Sequence, residues 1–229
     1  NKPLPFPLLS PVIDCYQFEI IHTHIYIIFN LKVRQLLHDI KKKKIFGSYK
    51  GLVRTIEYQK RGLPHVHILL FLDRQIGDFT TMEQIDQVIS AELPDKFRQP
   101  ELFDIVSKAM MHGPCGIHNP NSPCMKTDEM GNKKCSKNFP KPFQPGTIAN
   151  NNEYPTYRRR NDGNCRTINH SLDRTQLFHM DNTWVVPYCP YLSGRYNAHI
   201  NVDVCGSVDA IKYMNKYLYK GSDKITVEL

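Results

Sequence analysis

The chain has 229 residues, 41% hydrophobic and 23% charged, which is enough apolar material for one sizeable core or two small domains and too much for a disordered polymer. Lysine and arginine outnumber aspartate and glutamate by 30 to 22, and the resulting formal charge of +8 favours polyanionic partners such as nucleic acid. No run of 18 apolar residues occurs, so no membrane partner is expected, and the start of the chain lacks the small-residue cleavage pattern of a secretory signal.

Residues 1–30 form an atypical N-terminal segment: four prolines in the first eleven residues, then a β-branched run without polar alternation. From Leu31, the spacing of Val33, Leu36, Leu37 and Ile40 predicts a helix with a basic tail. The stretch GSYKGLVRTIEYQKRGLPHVHILLFLD reads as two strands joined by a tight turn at 60–64. MEQIDQVISAELP reads as an acid-rich helical insert, and residues 101–113 as an amphipathic helix ending at Gly113.

Between 113 and 165 periodicity disappears and Cys, Pro, Asn, Lys and Gly dominate, the composition of a loop-rich insert. With no export signal, the seven cysteines are expected to be metal ligands or reduced thiols rather than a disulfide framework. Beyond the insert, the alternation of Ala198, Ile200, Val202 and Val204 predicts a strand over 197–205, and SVDAIKYMNKYLYKG a closing helix capped by Ser207 and ended by Gly221. The mixture predicts an α+β fold: a central, mostly antiparallel sheet with flanking helices. The core is expected over 31–112 and 166–229, interrupted by the Cys-rich, zinc-compatible insert 113–165.

Two constellations carry chemistry. On a strand, His65 and His67 point the same way, about 7 Å apart, while Val66, Ile68 and Leu70 face the core. The preceding strand brings Glu57 and Gln59 to one face, so two nitrogens and one oxygen could share a divalent cation with positions left open for substrate. The structural alternative is a polar edge over a buried strand. His22 and His24 repeat the spacing without the hairpin and its oxygen donors, and serve as the comparison.

On the closing helix, burial of Ile211, Met214 and Leu218 leaves Tyr213 and Tyr217 together on another face, four residues apart, with Lys216 and Lys220 beside them. A phenol ionises near pH 10, so an attacking tyrosine needs cationic neighbours or an activated electrophile. The alternative is an amphipathic helix whose aromatics pack and whose lysines are solvated.

Taken together, EYQKRGLPHVHILLFL, MHGPCG, NPNSPCM, KCSKNFPKPF, YPTYRRR, NTWVVPYCPYL and YNAHINVDVCGSVDAIKYMNKYLYKG, in this order, resemble the HUH endonuclease superfamily, and more closely the Rep part of Helitron transposases, the Helitron helicase-like domain. The likeness runs from about Leu31 to Asp223. It implies metal-dependent nicking and strand transfer on single-stranded or melted DNA through a 5′-phosphotyrosine, as in rolling-circle transposition. His65 and His67 would bind magnesium or manganese, with Gln59 first and Glu57 second as the third ligand. Tyr213 and Tyr217 would be the nucleophiles, and Lys216 and Lys220 would offset developing charge.

The insert fits a zinc module with His112, Cys115, Cys124 and Cys135 as ligands and His118 as a competitor; Cys15, Cys165, Cys189 and Cys205 read as ordinary thiols. His199, Asn201 and Asp203 share the exposed face of the last predicted strand. Two departures stand out. The upstream Phe-Thr-rich strand and Trp-Pro-Glu turn usual in the family are replaced by residues 1–29. No G-x-x-x-x-G-K-[ST] motif occurs, so the C-terminal helicase expected in full-length members is absent and the chain is not expected to be an ATP-driven helicase. A catalytically inactive, zinc-containing DNA-binding fragment is the alternative, and a metallohydrolase is disfavoured because H-E-x-x-H is missing. A DNA substrate implies a nuclear location.

Overall fold

A computed structural model describes residues 12–58, 64–73, 81–148, 154–169, 175, 177–204 and 224–228. The chain forms two compact units, Asn1–Ile76 with Lys212–Leu229, and Gly77–Ile211. The fold is α+β with small antiparallel sheets, as the sequence predicts.

The first unit begins with helix α1 (Val12–Lys43), which starts directly after Pro11 and runs for 32 residues, about 48 Å. The helix expected from Leu31 therefore begins far earlier: its β-branched residues have weak helix propensity, and propensity yields to the cooperativity of a helix already anchored further along. Val33 and Leu37, one turn apart, are buried against Leu52, with Phe29, Val66, Ile68 and Leu70 around them. Leu31 lies on the solvent side, 57% exposed. The helix closes with Lys41, Lys42 and Lys43 beside its carbonyl end and stops at Lys44, whose left-handed backbone lets Gly47 N–H reach its carbonyl at 2.8 Å. No described helix is long and apolar enough to cross a membrane.

Strands β1 (Tyr49–Tyr58) and β2 (Pro64–Leu72) then form the expected hairpin, with Glu57 opposite His65 and Thr55 opposite His67. On the other side of β1 lies a strand from the end of the chain, Lys224–Glu228, antiparallel, so β1 is the middle strand of the three. Alternation divides the hairpin into two faces. Leu52, Ile56, Val66, Ile68 and Leu70 belong to the face that α1 covers, and Thr55, Glu57, His65 and His67 to the other.

The second unit carries α2 (Met82–Val88) and α3 (Pro100–Ala109). A reciprocal capping box between Thr81 and Gln84 fixes the start of α2. The α3 helix starts on Pro100 and ends at Ala109, four residues before Gly113, because Met111 leaves the helix to bridge Val185. Short hairpins follow, β3 (Met125–Thr127) with β4 (Lys133–Cys135), and β5 (Arg166–Asn169) with β6 (Leu177–Met180), then a 3-10 turn (Asn182–Trp184) and α4 (Pro190–Tyr196).

A core of Leu93, Val106, Met110, Val185 and Tyr188 holds these pieces together. Fully buried Asn182 ties the loops: its Oδ1 accepts from Leu93 N–H at 2.7 Å and its Nδ2 donates to Arg160 O at 2.8 Å. Arg159 is 4% exposed and uses one nitrogen, Nη1, to donate to the carbonyls of Ala91, Asn182 and Val185. Burial brings its guanidinium down to about 10, still charged at neutral pH.

Over its described residues, 197–204, the strand expected at 197–205 does not form. Asn197 takes a left-handed backbone at the end of α4, and among the described residues of this stretch only Asn201 makes a bridge, to Tyr188. Val202 N–H goes to Pro187 O and Val204 N–H to the Tyr157 hydroxyl. The alternation is nonetheless real, because Val202 and Val204 pack against the buried cluster of Ile85, Ile89, Ala91 and Tyr157. The closing helix expected after Ser207 lies outside the described residues.

Candidate functional site

In the first unit, the hairpin places Thr55, Glu57, His65 and His67 on one face. Glu57 Oε2 lies 3.1 Å from His67 Nε2, a diagonal contact across the register. His65, directly opposite Glu57, is exposed, and His67 is half-buried. Thr55, opposite His67, is fully buried, and its hydroxyl makes no hydrogen bond among the described residues. Sequence reading passed over Thr55, whose signal was its place two residues before Glu57 on the same strand face.

Adjacent donors on an octahedral ion with bonds of about 2.1 Å are separated by about 3.0 Å, so the 3.1 Å between Glu57 and His67 fits a shared cation as well as a direct hydrogen bond. Gln59, Tyr213, Tyr217, Lys216 and Lys220 lie outside the described residues. Positions 22 and 24 fall within α1, where residues two apart are about 200° apart around the axis, so this spacing does not build a shared site there.

The second unit assembles the other predicted ligands. Ligand atoms of His112, Cys115, Cys124 and Cys135 all lie within 4.8 Å of one another. His112 follows α3; its N–H donates to Trp184 O at 2.8 Å and its ring stacks on Phe139 at 4.3 Å. Cys124 precedes β3 and Cys135 ends β4, so the hairpin itself sets their separation, reinforced by Ser136 N–H on Cys124 O at 2.8 Å. Cys115 enters from the other loop, where Gly116 turns with φ of 65° and its N–H meets Met125 Sδ at 3.2 Å. The cluster shares a core with Met180 and Trp184.

The donor set fits a four-coordinate soft cation such as structural zinc. Zinc bonds of about 2.3 Å to sulfur and about 2.05 Å to nitrogen put the ligand atoms of a tetrahedron about 3.6 Å apart, and Cys135 Sγ is 3.5 Å from His112 Nε2. Burial, then Lys137 and Lys141, lower the His112 imidazole, which keeps it in its neutral, ligating form. Burial works to raise the Cys135 thiol, but the amides of Phe139 and Lys137 and the neighbouring thiols outweigh it and hold it below the ordinary value. Lys137 N–H lies 3.4 Å from that sulfur. Cys115 is pushed up to about 12, by burial first and then by Cys135 and Cys124. Three thiols and one imidazole with no carboxylate make a closed set, the composition of a structural rather than a catalytic centre.

His118 does not join them; its ring packs 4.3 Å from Phe178 and edge-on to Trp184. His199 is anchored to Ala109 O at 2.6 Å. Asp203 keeps an exposed edge, yet surrounding protein pushes its carboxyl up to about 6 against the opposing pull of Tyr157, Arg159 and Asn201. The YRRR run is structural here: beside buried Arg159, Arg158 and Arg160 both pair with the buried Glu92, at 3.4 and 2.6 Å.

Residues 21–70 match the family model of the Helitron helicase-like domain at N-terminus. The match takes in much of α1, all of β1 and β2 through Leu70, and so contains Glu57, His65 and His67. It begins inside the segment set apart as atypical, and over these residues the chain is similar to the Helitron helicase-like family, as the sequence motifs lead one to expect. No curated protein matches the chain. The likeness points to a transposase-related function.

Proposed function

We propose that the chain is a metal-dependent nickase and strand transferase for single-stranded or locally melted DNA, acting as the Rep nuclease of a Helitron-like element in the nucleus. The observation that carries this reading is the convergence of Glu57 and His67, 3.1 Å apart, on the strand face shared with His65, inside the segment that matches the Helitron helicase-like family. Glu57 serves as an oxygen donor in this reading because its carboxylate already stands against His67, and Gln59 stays the other oxygen ligand of the expected set. His65, His67 and Glu57 would hold magnesium or manganese, and the bound ion would polarise the scissile phosphate.

The chain's own groups would do the rest. The hydroxyl oxygen of Tyr213 or Tyr217 attacks phosphorus, forming the tyrosine O–P bond as the P–O3′ bond breaks. The phenolic proton is lost, the 3′-oxygen takes up a proton, and the DNA is left with a free 3′-hydroxyl and a 5′-phosphotyrosyl link. Lys216 and Lys220, four residues apart in the sequence, would offset the charge developing on phosphate oxygens. The bond energy kept in the phosphotyrosine allows a second 3′-hydroxyl to reverse the step on another strand, and two tyrosines allow two such events without release.

His112, Cys115, Cys124 and Cys135 would hold a structural zinc that braces the second unit. The completeness of that set favours a second reading, a zinc-stabilised DNA-binding fragment without turnover. Polymerase extension of the cleaved oligonucleotide separates the two. The nickase yields a product with an extendable 3′-hydroxyl only when magnesium or manganese is present during cleavage, and the fragment yields none.

A further inference from the structure

The hairpin that carries two of the zinc-type ligands has an outer face that the metal does not use. Met125 and Cys135 sit opposite each other and point into the cluster with Trp184. One residue further on, strand alternation turns Lys126 and Lys134 outward, directly opposite each other and both exposed. Like charges directly opposite on a two-stranded ribbon repel, and neither lysine forms an ion pair among the described residues.

The carboxylate nearest in sequence, Asp128, spends its Oδ1 on the turn, accepting from the N–H groups of Met130 and Asn132 at 3.1 and 2.9 Å. Lys133, opposite Thr127, falls by the same alternation on the face of Met125 and Cys135, so Lys126 and Lys134 are the outward pair, and Met130 stands out from the turn 88% exposed. An opposed pair of exposed lysines, with an exposed thioether in the adjoining turn, suits a flexible polyanion with apolar, polarisable faces along it.

We propose that the outer face of this hairpin is a contact surface for single-stranded DNA, with a phosphate bridging Lys126 and Lys134 and an unstacked base lying against Met130. The surface rests on the single-stranded DNA reading above and adds to it where the strand is held, apart from the cleavage chemistry. A single strand suits it better than a duplex, because only unstacked bases offer a face to the thioether. Phosphate also removes the repulsion between the two ammonium groups, so the element that the metal stiffens becomes a binding edge.

The test is binding of fluorescent oligo-dT to the zinc-loaded full chain, without manganese, across a salt series. For Lys126→Ala/Lys134→Ala the dissociation constant should rise roughly tenfold at near-physiological salt and the logarithmic salt slope should fall by about 0.7, the share of the one bridged single-strand phosphate. Zinc content should stay the same and the melting temperature should not fall, since the substitutions remove a repulsion. Lys126→Arg/Lys134→Arg, which keeps the charge, should bind like the parent chain. An unchanged affinity and slope in the alanine pair would overturn the inference, as would poly-glutamate displacing oligo-dT charge for charge, which would mark an acidic-protein surface instead. If the alanine pair binds normally while the parent chain forms covalent adducts, the hairpin surface fails and the nicking reading stands. If binding drops but no adduct ever forms, the reverse holds.

Discussion

Glu57 reaches past its register partner: it pairs across the strands with His65, yet its Oε2 lies 3.1 Å from His67 Nε2. The diagonal contact leaves His65 exposed opposite a carboxylate that already holds the second histidine, so the face offers three donors of two kinds. If this is the cation site, Glu57→Gln should weaken manganese binding at least tenfold by calorimetry and cut the nicking rate by about a hundredfold, while the unfolding free energy changes by less than about 1 kcal/mol. A purely structural His–Glu pair would leave manganese affinity unaltered.

The cluster in the second unit makes a different claim, about stability. Structural zinc sites contribute about 10–16 kcal/mol of apparent binding free energy, comparable with the whole 5–15 kcal/mol stability of a typical domain. Elemental analysis should find one zinc per chain, and chelation should abolish cooperative unfolding of the second unit. Cys135→Ser should lose the metal, whereas His118→Ala, which removes only a ring packed on Phe178, should keep it.

Acid sensitivity should centre on Glu92. Burial works to raise its carboxyl, but the hydrogen bonds and charge of Arg160 and the charge of Arg158 prevail and hold it below the ordinary value. A depressed carboxyl contributes stability that is present above its unfolded value, near 4.3, and is lost as pH falls through the folded value. Glu92→Gln should therefore cost roughly 2–4 kcal/mol at pH 7 by urea unfolding, with the gap to the parent chain closing below about pH 4.

The core of the first unit offers a simpler check. Leu52 is fully buried between α1 and the hairpin, against Val33 and Leu37. Leu52→Ala should destabilise that unit by about 2–5 kcal/mol, read as an earlier loss of helix signal in denaturant.

The hairpin and the four-ligand cluster were legible in the sequence because local patterns encode them: alternation fixed the shared face of Glu57, His65 and His67, and residue chemistry singled out His112 and three cysteines. Misreadings arose where distant partners decide. The run Val202–Val204 alternates because one side packs on Ile85 and Ile89, but its amides find Pro187 O and the Tyr157 hydroxyl instead of a neighbouring strand. His118 has a ligand's chemistry and lost its place to an aromatic cluster that depends on Phe178 and Trp184, many residues away. Nor does spacing reveal that Arg159, in a run of three arginines, would be buried to hold three carbonyls.

The most direct test of the central claim is incubation of the chain with end-labelled single-stranded DNA and manganese, followed by a denaturing protein gel. The account expects a covalent protein–DNA band that EDTA prevents, that fades strongly in His67→Ala, and that disappears in Tyr213→Phe/Tyr217→Phe. A band that persists in the double phenylalanine variant, or no band despite tight binding of the same strand, would contradict it.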